Sequence, residues 1–243
     1  MIIRSISTRP INAYDELEKV LDQYLNGMIE NSILTITSKI VSICEGSLVK
    51  VDETKLADLV KKEADMVLEA ANPYKIALTI KDSVLIPNAG VDHSNGNGHY
   101  ILWPKNAWRT AETIRQYLKK RFQVKHCGVI ITDSKTTPLR WGTTGLALAV
   151  AGFESLKDYR GKMDIFGDEM QVTQANVADG LAAGAVAAMG EGAEQTPFAV
   201  IEDVPFVQFV DHALTKKQRD ELKISLKDDL YGPMLMTAKW RKK

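Results

Sequence analysis

The chain has 243 residues, of which 45% are hydrophobic and 26% are charged, a balance that excludes a disordered or fibrous class. Lys plus Arg equals Asp plus Glu at 31 each, so no overall charge directs the protein to nucleic acid or to an anionic membrane. No apolar run approaches the roughly 20 residues of a membrane span, and we expect a cytoplasmic protein with no membrane partner. Cys44 and Cys127 are too few for a disulfide framework or a zinc site and are expected to be buried free thiols.

The first half of the chain alternates predicted strands and helices. Apolar residues repeat at three and four positions in two stretches, as they do along the buried face of a helix, while β-branched residues dominate the stretches between. The predicted order is a strand over residues 2–6, a helix over 17–29, a strand over 33–43 (ILTITSKIVSI), a helix over 56–67 and a hairpin of 76–80 with 84–87.

A polar loop follows the hairpin over residues 88–98 (NAGVDHSNGNG). Asn, Asp and Ser supply oxygen ligands, and glycines leave backbone amides free to turn toward an anion. The same composition is typical of a flexible connector, and the residues alone leave both interpretations open.

The second half begins with a predicted amphipathic helix over residues 111–122. Its basic residues Arg115, Lys119, Lys120 and Arg121 are expected on the solvent face. The predicted elements that follow are buried strands over 129–131 and 146–152, an Ala- and Gly-rich helix over 177–188, a strand over 198–201 and a charged helix over 214–230.

The central stretch is residues 127–142 (CGVIITDSKTTPLRWG), where Asp133 and Ser134 directly follow the apolar run. At a strand end, this carboxylate and hydroxyl would offer two hard oxygens to Mg²⁺ or Mn²⁺, and the following loop could close over phosphates. The alternative is structural, with Asp133 capping a turn. A similar choice applies to residues 189–194 (MGEGAE), which are either a glycine helix cap or a flexible backbone that carries Glu191 to a metal.

Several blocks, in order along the chain, resemble coenzyme F-420:L-glutamate ligases, which add glutamate to a deazaflavin cofactor using GTP. The blocks are residues 37–42, 88–95, 128–134, 157–167 with Glu169, and 177–179 through 189–192. The resemblance implies an α+β fold of mixed sheets and packed helices in two interleaved subdomains, forming a homodimer. It covers a catalytic region over residues 1–203, which leaves 204–243 as a charged helical tail.

The resemblance also implies a ligand set. Two Mg²⁺ or Mn²⁺ ions would be bound by Asp92, Asp133, Ser134 and Glu191, and K⁺ is a possible further ion. The implied nucleotide contacts are Ser7, Thr8, Arg9, Pro10, Ser38, Lys39, Asn95, Gly190, Gly192, Ala193, Glu194, Gln195 and Thr196. The three carboxylates are 41 and 58 positions apart, so spacing alone does not show that they meet.

The implied reaction joins L-glutamate to an acceptor carboxylate through an acyl phosphate, the acceptor being F-420, a folate or a growing polyglutamate chain. Lys39, Arg140 and Arg160 are candidates for binding phosphates or carboxylates, with surface salt bridges as the alternative role. Two positions depart from the family: Ile43 replaces a lysine, and Thr136-Thr137 replaces Gly-Arg.

These departures motivate a second hypothesis, a non-catalytic nucleotide- or metal-binding regulatory relative. A nucleic-acid-binding protein, suggested by basic residues over 115–125 and 240–243, is disfavoured by zero net charge.

Overall fold

A five-stranded sheet forms the centre of the computed structural model, which describes residues 1–13, 15–68 and 72–242. The strands are β1 (Ile2–Ile6), β2 (Ser32–Thr37), β3 (Leu48–Lys50), β4 (Met66–Leu68), β5 (Leu78–Lys81), β6 (Val84–Pro87), β7 (His99–Ile101), β8 (Cys127–Thr136), β9 (Thr143–Ala151), β10 (Leu156–Asp158), β11 (Gln174–Asn176), β12 (Phe198–Glu202) and β13 (Trp240–Lys242). The helices are α1 (Leu17–Tyr24), α2 (Ser38–Glu45), α3 (Leu56–Glu63), α4 (Ala107–Phe122), α5 (Val177–Met189), α6 (Lys216–Asp220) and α7 (Gly232–Thr237).

The central sheet has the strand order β1-β12-β2-β8-β9, and only β2 and β8 run parallel among its pairs. A second sheet has the order β13-β4-β5-β6. The chain enters this second sheet between β2 and β8 and returns to it after β12, so the two sheets are interleaved along the sequence. The fold is therefore α+β with mixed sheets, as predicted.

Both faces of the central sheet are covered by helices, because its strands alternate apolar side chains between two cores. Leu34 and Val129 point to the core that contains residues of α1, α2 and α4. Ile33 and Ile130, one position away, point to the core beneath α5. The small residues of α5, such as Ala182 and Ala185, are fully buried and let the helix approach the sheet closely.

The predicted strand over residues 33–43 is wrong in its second half. β2 ends at Thr37, and residues 38–45 form α2, which terminates at Gly46 with φ 70°. The β-branched residues Ile40, Val41 and Ile43 pack on one side of a helix here, and a short apolar run of this kind fits either structure. Glycine at the left-handed position is a common helix terminator and marks the boundary.

The prediction that Asp133 and Ser134 lie at a strand end is also wrong. β8 continues to Thr136 across an irregularity between Ile131 and Thr132, and its outer half pairs with β9. The polar residues remain in the strand because the pairing with β9 satisfies their backbone groups after the strand has left the core. The site residues therefore lie within a long hairpin.

The continuous helix predicted over residues 214–230 is wrong. The described tail contains only α6, α7 and β13, which pairs with β4 in the second sheet. A Cβ at Gly232 would lie 2.0 Å from the carbonyl oxygen of Leu226, so the chain turns back tightly at this glycine. The predicted helix over 56–67 likewise ends at Glu63, where β4 soon begins, and Lys243 of the basic ending lies outside the described residues.

The basic face predicted for the α4 helix is only partly correct. Arg115 is fully buried and donates hydrogen bonds to the carbonyl oxygens of Cys127 and Val210 and to Glu112. Lys119 and Arg121 form ion pairs with Asp211 and Asp22. The basic run thus connects α4 to neighbouring segments and is not an open cationic surface.

Other predictions agree with the structure. The hairpin of β5 with β6, the helix α5 and the strand β12 lie where the sequence places them. Cys127 is buried and Cys44 is half-buried, both are free thiols, and burial raises the pKa of each to about 11. Within the described ranges, no helix combines the length and the apolar character needed to cross a membrane.

Candidate active site

Three carboxylates from separate parts of the chain line one small cavity of about 180 Å³. Asp92 comes from the loop after β6, Asp133 from the outer half of β8 and Glu191 from the loop after α5. Ser134 and Lys39, the latter in the first turn of α2, line the same cavity. The fold therefore brings together all four residues implied as metal ligands.

Asp133 is held by two hydrogen bonds. Its Oδ2 atom accepts a hydrogen bond from the indole Nε1 of Trp103 at 2.5 Å, and its Oδ1 atom accepts one from the main-chain N–H of Ser134 at 2.9 Å. Burial raises the pKa of Asp133 to about 6, even though both hydrogen bonds and the charge of Lys39 lower it. A bound cation in the cavity would favour the ionised form of this carboxyl group.

Asp92 forms the second acidic centre with Lys39. The Nζ atom of Lys39 lies 2.8 Å from Oδ2 of Asp92, and Oδ1 accepts hydrogen bonds from the main-chain N–H of Ser94 at 2.7 Å and from its hydroxyl at 2.9 Å. Burial acts to raise the pKa of Asp92, but Lys39 and the Ser94 hydrogen bonds outweigh it and leave the pKa below its ordinary value. Asp92 is therefore ionised at neutral pH.

Glu191 connects the loop after α5 to the β8–β9 hairpin. Its Oε1 atom accepts hydrogen bonds from the hydroxyls of Ser134 at 2.7 Å and Thr143 at 3.1 Å. Gly190 precedes it with φ 83° and ends α5, as the helix-cap interpretation predicted, and Glu191 lines the cavity, which leaves its binding of a metal a prediction. The glycine lets the chain leave the helix in the direction that carries Glu191 to the cavity.

The donor set fits a hard divalent cation, because every candidate ligand is a carboxylate or hydroxyl oxygen. Among the described residues, no three His, Cys, Asp or Glu side chains are grouped closely enough to hold one ion. The carboxylates share a cavity without converging on a single point, and Asp92 is paired with Lys39. The chemistry of the residues fits Mg²⁺ or Mn²⁺, while these side-chain positions do not define a coordination sphere.

A larger groove of about 480 Å³ adjoins the small cavity and shares Thr37, Lys39, Met189, Gly190 and Glu191 with it. Most residues implied as nucleotide contacts line this groove. They are Thr8, Arg9, Pro10, Lys39, Asn95, Gly190, Gly192, Ala193, Glu194, Gln195 and Thr196. Ser7 and Ser38 are not among its lining residues; Ser7 is exposed and Ser38 is buried.

Hydrogen bonds between loops fix the shape of the groove. The main-chain N–H of Thr8 donates to the carbonyl of Gln195 at 2.8 Å, and the Asn95 side chain donates to the carbonyl of Gly192 at 3.1 Å. The N–H of Gly192 in turn donates to Glu194 at 2.8 Å. The groove is thus built from three segments that are distant in sequence, and Lys39 lines both the groove and the carboxylate cavity.

The sequence model of the family described as F420-0:Gamma-glutamyl ligase matches residues 5–203. The chain belongs to this family. Members of this family are glutamate ligases, so the chain falls in the glutamate-ligase class. The match contains both the small cavity and the groove.

Three curated relatives named Coenzyme F420:L-glutamate ligase show the same similarity. The relative from Methanococcus maripaludis is 31% identical over 222 residues, which cover 89% of this chain and 88% of the relative. The relative from Methanocaldococcus jannaschii is 31% identical over 209 residues, covering 78% and 82%. The relative from Haloarcula marismortui is 36% identical over 162 residues, covering 66% and 61%.

Two of the candidate catalytic cations of this family member lie apart from the cavity. Arg140 is exposed in the turn between β8 and β9, where its main-chain N–H donates to the carbonyl of Thr137 at 3.2 Å. Arg160 follows β10 and forms an ion pair with Asp158 at 2.7 Å, with both side chains about half exposed. In the described part of the chain, only Lys39 of the three lines the cavity and the groove.

Sequence reasoning missed Ser94, which donates to Asp92 from within a resembling block, and two further residues that contact the candidate metal ligands directly. Trp103 donates to Asp133, and Thr143 donates to Glu191. Neither belongs to a resembling block, and spacing gave no signal for either. The departure at position 43 has a structural outcome: Ile43 is buried and lines the groove, where it presents an apolar surface.

Proposed function

We propose that this family member is a nucleotide-dependent glutamate ligase, with GTP as the expected nucleotide. An oxygen of the acceptor carboxylate attacks the γ-phosphorus, and the nucleoside diphosphate leaves. The amine of L-glutamate then attacks the acyl carbon of the resulting acyl phosphate, phosphate leaves, and the nitrogen loses a proton. The observation that carries this proposal is the contact between the groove of implied nucleotide residues and a cavity lined by Asp92, Asp133 and Glu191.

Asp92, Asp133, Ser134 and Glu191 would hold two Mg²⁺ or Mn²⁺ ions, and K⁺ remains an expected further ion. When bound, the divalent ions would neutralise charge on the transferred phosphoryl group. Phosphoryl transfer depends mainly on positioning and charge stabilisation, and these protein groups can supply both. The hydroxyls of Ser134 and Thr143 orient Glu191, and the indole of Trp103 orients Asp133.

Lys39 is the proposed phosphate contact. It lines both the groove and the carboxylate cavity, and its ammonium group is paired with Asp92 at 2.8 Å. A triphosphate in the groove would bring further negative charge to this ammonium group, which attracts phosphate as a point charge. Arg140 and Arg160 are proposed to bind the carboxylates of L-glutamate or of the acceptor, since guanidinium groups recognise carboxylates in a bidentate manner.

The proposed acceptor is an F420-type molecule, because the relatives are named for coenzyme F420. A folate or a growing polyglutamate chain is the other acceptor class that the assay must include. Of the departures that motivate the non-catalytic relative, Thr136 and Thr137 lie at the end of β8 and the start of the turn, outside the cavity and groove, whereas Ile43 lines the groove.

We propose a homodimer as the working assembly. Leu139 and Trp141 at the tip of the β8–β9 hairpin are almost fully exposed, as are Ile165 and Phe166 in the loop between β10 and β11. Large apolar side chains exposed in this way are typical of surfaces that a partner covers. Light scattering on the purified protein and on a Leu139→Ser/Trp141→Ser variant tests this, and a monomeric wild type would refute it.

The function itself is tested with purified protein, Mg²⁺ or Mn²⁺, GTP or ATP, L-glutamate and a panel of deazaflavin, folate and glutamyl-peptide acceptors. Mass spectrometry should show products heavier by one or more glutamyl units, together with release of nucleoside diphosphate. Asp133→Asn should abolish this activity while folding normally, and Asp58→Asn, an exposed site on α3, is the matched control. Nucleotide binding without any glutamate-dependent product would instead indicate a regulatory relative.

A further inference from the structure

A third cavity, of about 610 Å³, lies on the other side of Trp103 from the carboxylate site. The β5–β6 hairpin, the start of α4, the middle of β9 and the first part of the tail form its wall. None of the described residues implied as metal or nucleotide ligands lines it. Trp103 lines this cavity, while its Nε1 atom donates to Asp133 in the small cavity. A single indole therefore contacts both sites.

Of the residues that the structure describes, four cationic side chains and three carboxylates line the cavity. Its three carboxylates are each paired with a lysine: Glu63 with Lys81 at 2.8 Å, Asp82 with Lys223 at 2.5 Å and Asp179 with Lys135 at 3.3 Å.

Two further cations of the wall lack such partners. In the described structure, the side chains of Lys105 and Arg219 line the cavity and form no hydrogen bond or close ion pair. The pKa of the adjacent Asp220 is lowered by its hydrogen bond with Lys216 and, at longer range, by the charge of Arg219. Arg219 is half-buried in α6, and Lys105 is exposed just before α4. A half-buried guanidinium group with unused donors can bind a carboxylate or phosphate in a bidentate manner. The cavity can therefore accept an anion without breaking an existing ion pair.

The wall also offers aromatic and apolar surface. Trp103 and Trp108 are both half-buried in it, and Leu146 and Leu148 of β9 line it as well. Indole rings provide large, flat contacts for a planar ring system, and the Nζ atom of Lys81, over the Trp103 ring at 5.1 Å from its centroid, adds positive charge beside that ring. The volume falls in the usual range for sites that bind small molecules, and such sites combine apolar walls with a few polar anchors.

We propose that this cavity binds a planar aromatic anion, with Arg219 as the main anchor of its charge and the two indoles as contacts for its ring. On the proposed function, which this step presupposes, the ligand is the planar ring of the acceptor together with an acidic group attached to it. The side chain of Trp103, which donates a hydrogen bond to Asp133, would then stand between the bound ring and the phosphoryl-transfer site. The nucleotide occupies the groove, and the acceptor ring occupies the cavity behind Trp103.

Flavin mononucleotide and riboflavin are suitable probes, because they share a planar ring and differ in the phosphate. Each is titrated into the full-length protein without nucleotide, glutamate or metal, and flavin fluorescence reports stacking against indole. We expect flavin mononucleotide to bind at least tenfold more tightly than riboflavin, and Arg219→Gln to remove about that factor. Lys105→Gln should have a smaller effect of the same sign. Arg109→Gln removes a nearby exposed charge of α4 that does not line the cavity, and should leave binding unchanged.

Equal affinity for the two flavins, an unchanged affinity in folded Arg219→Gln, or displacement of the flavin by GTP would each overturn the proposal. In the ligation assay, Arg219→Gln should raise the KM for the acceptor and leave the KM for GTP unchanged. The two proposals fail separately. Wild-type protein that never adds glutamate refutes the ligase, whereas a ligase whose flavin binding ignores Arg219 refutes the cavity site.

Discussion

Replacing Trp103 with Phe should weaken divalent-metal binding more than it weakens folding. The substitution keeps an aromatic ring but removes the N–H that donates to Oδ2 of Asp133 at 2.5 Å. That hydrogen bond lowers the pKa of Asp133, which burial raises to about 6. Without it, the carboxyl group is more often protonated at neutral pH and is oriented only by the main-chain N–H of Ser134.

The magnitude follows from the type of bond that is lost. A hydrogen bond to a charged group contributes about 1.5–3 kcal/mol, so its removal should raise the pKa of Asp133 by about one pH unit or more. Loss of a group that orients a metal ligand commonly lowers metal affinity by about 10- to 100-fold. We expect the Kd for Mn²⁺ to rise by about that factor, with a correspondingly lower kcat at subsaturating metal.

Calorimetric titration of Mn²⁺ into the wild type, Trp103→Phe and Trp108→Phe measures the effect. Trp108 lines the same large cavity and has no hydrogen bond to Asp133, so its variant controls for loss of indole area. Gly90→Ala would also displace the ring, because a Cβ at residue 90 would lie 2.1 Å from the indole Nε1, but its φ of 69° and its place in the carboxylate cavity mean that the tryptophan variants carry the test. Equal Mn²⁺ affinity in both folded tryptophan variants would refute the orienting role of Trp103.

Two further predictions concern stability. The folded-state pKa of Asp133 is about 6 against an ordinary value of 3.8, so folded protein binds more protons than unfolded protein between these values. Metal-free stability should therefore fall by about 2 kcal/mol as pH rises from 4 to 6.5. Urea unfolding should show this fall reduced in Asp133→Asn, and an equal fall in both proteins would contradict the raised pKa. Arg115→Met leaves the partly buried Glu112 without its ion pair and removes hydrogen bonds to two carbonyl oxygens. In urea unfolding, it should lower the unfolding free energy by about 3–5 kcal/mol. The control Lys120→Met, at an exposed position of the same helix, should lower it little.

The parts of the fold that the sequence predicted are those in which one local pattern dominates. Helix α4 and helix α5 have sustained apolar spacing, and the short strand β12 contains a compact apolar run. Prediction failed where the pattern depends on tertiary pairing. β8 extends to Thr136 only because β9 pairs with it, and the tail is held by contacts such as that of β13 with β4.

For the candidate site, family resemblance provided the residues and the structure provided their arrangement. Asp92 and Glu191 lie in loops and Asp133 lies in β8; their spacing carries no information on their proximity, and they line one cavity only in the folded chain. The partners Trp103 and Thr143 could not be predicted, because a single aromatic or hydroxyl residue in a polar segment has no distinctive pattern. Orientation of a ligand by a neighbouring residue is a property of three-dimensional contact alone.

The incorrect strand prediction over residues 33–43 also bears on the chemistry. In an extended strand, Ser38 and Lys39 would point to opposite faces of the sheet, but in the structure they begin α2 directly after β2. The first turn of a helix has unpaired backbone N–H groups and a partial positive charge, both of which favour anions. Lys39 adds its ammonium group at this position and lies where the groove meets the carboxylate cavity. The change from strand to helix therefore places positive potential at the point where the proposed mechanism requires the γ-phosphate.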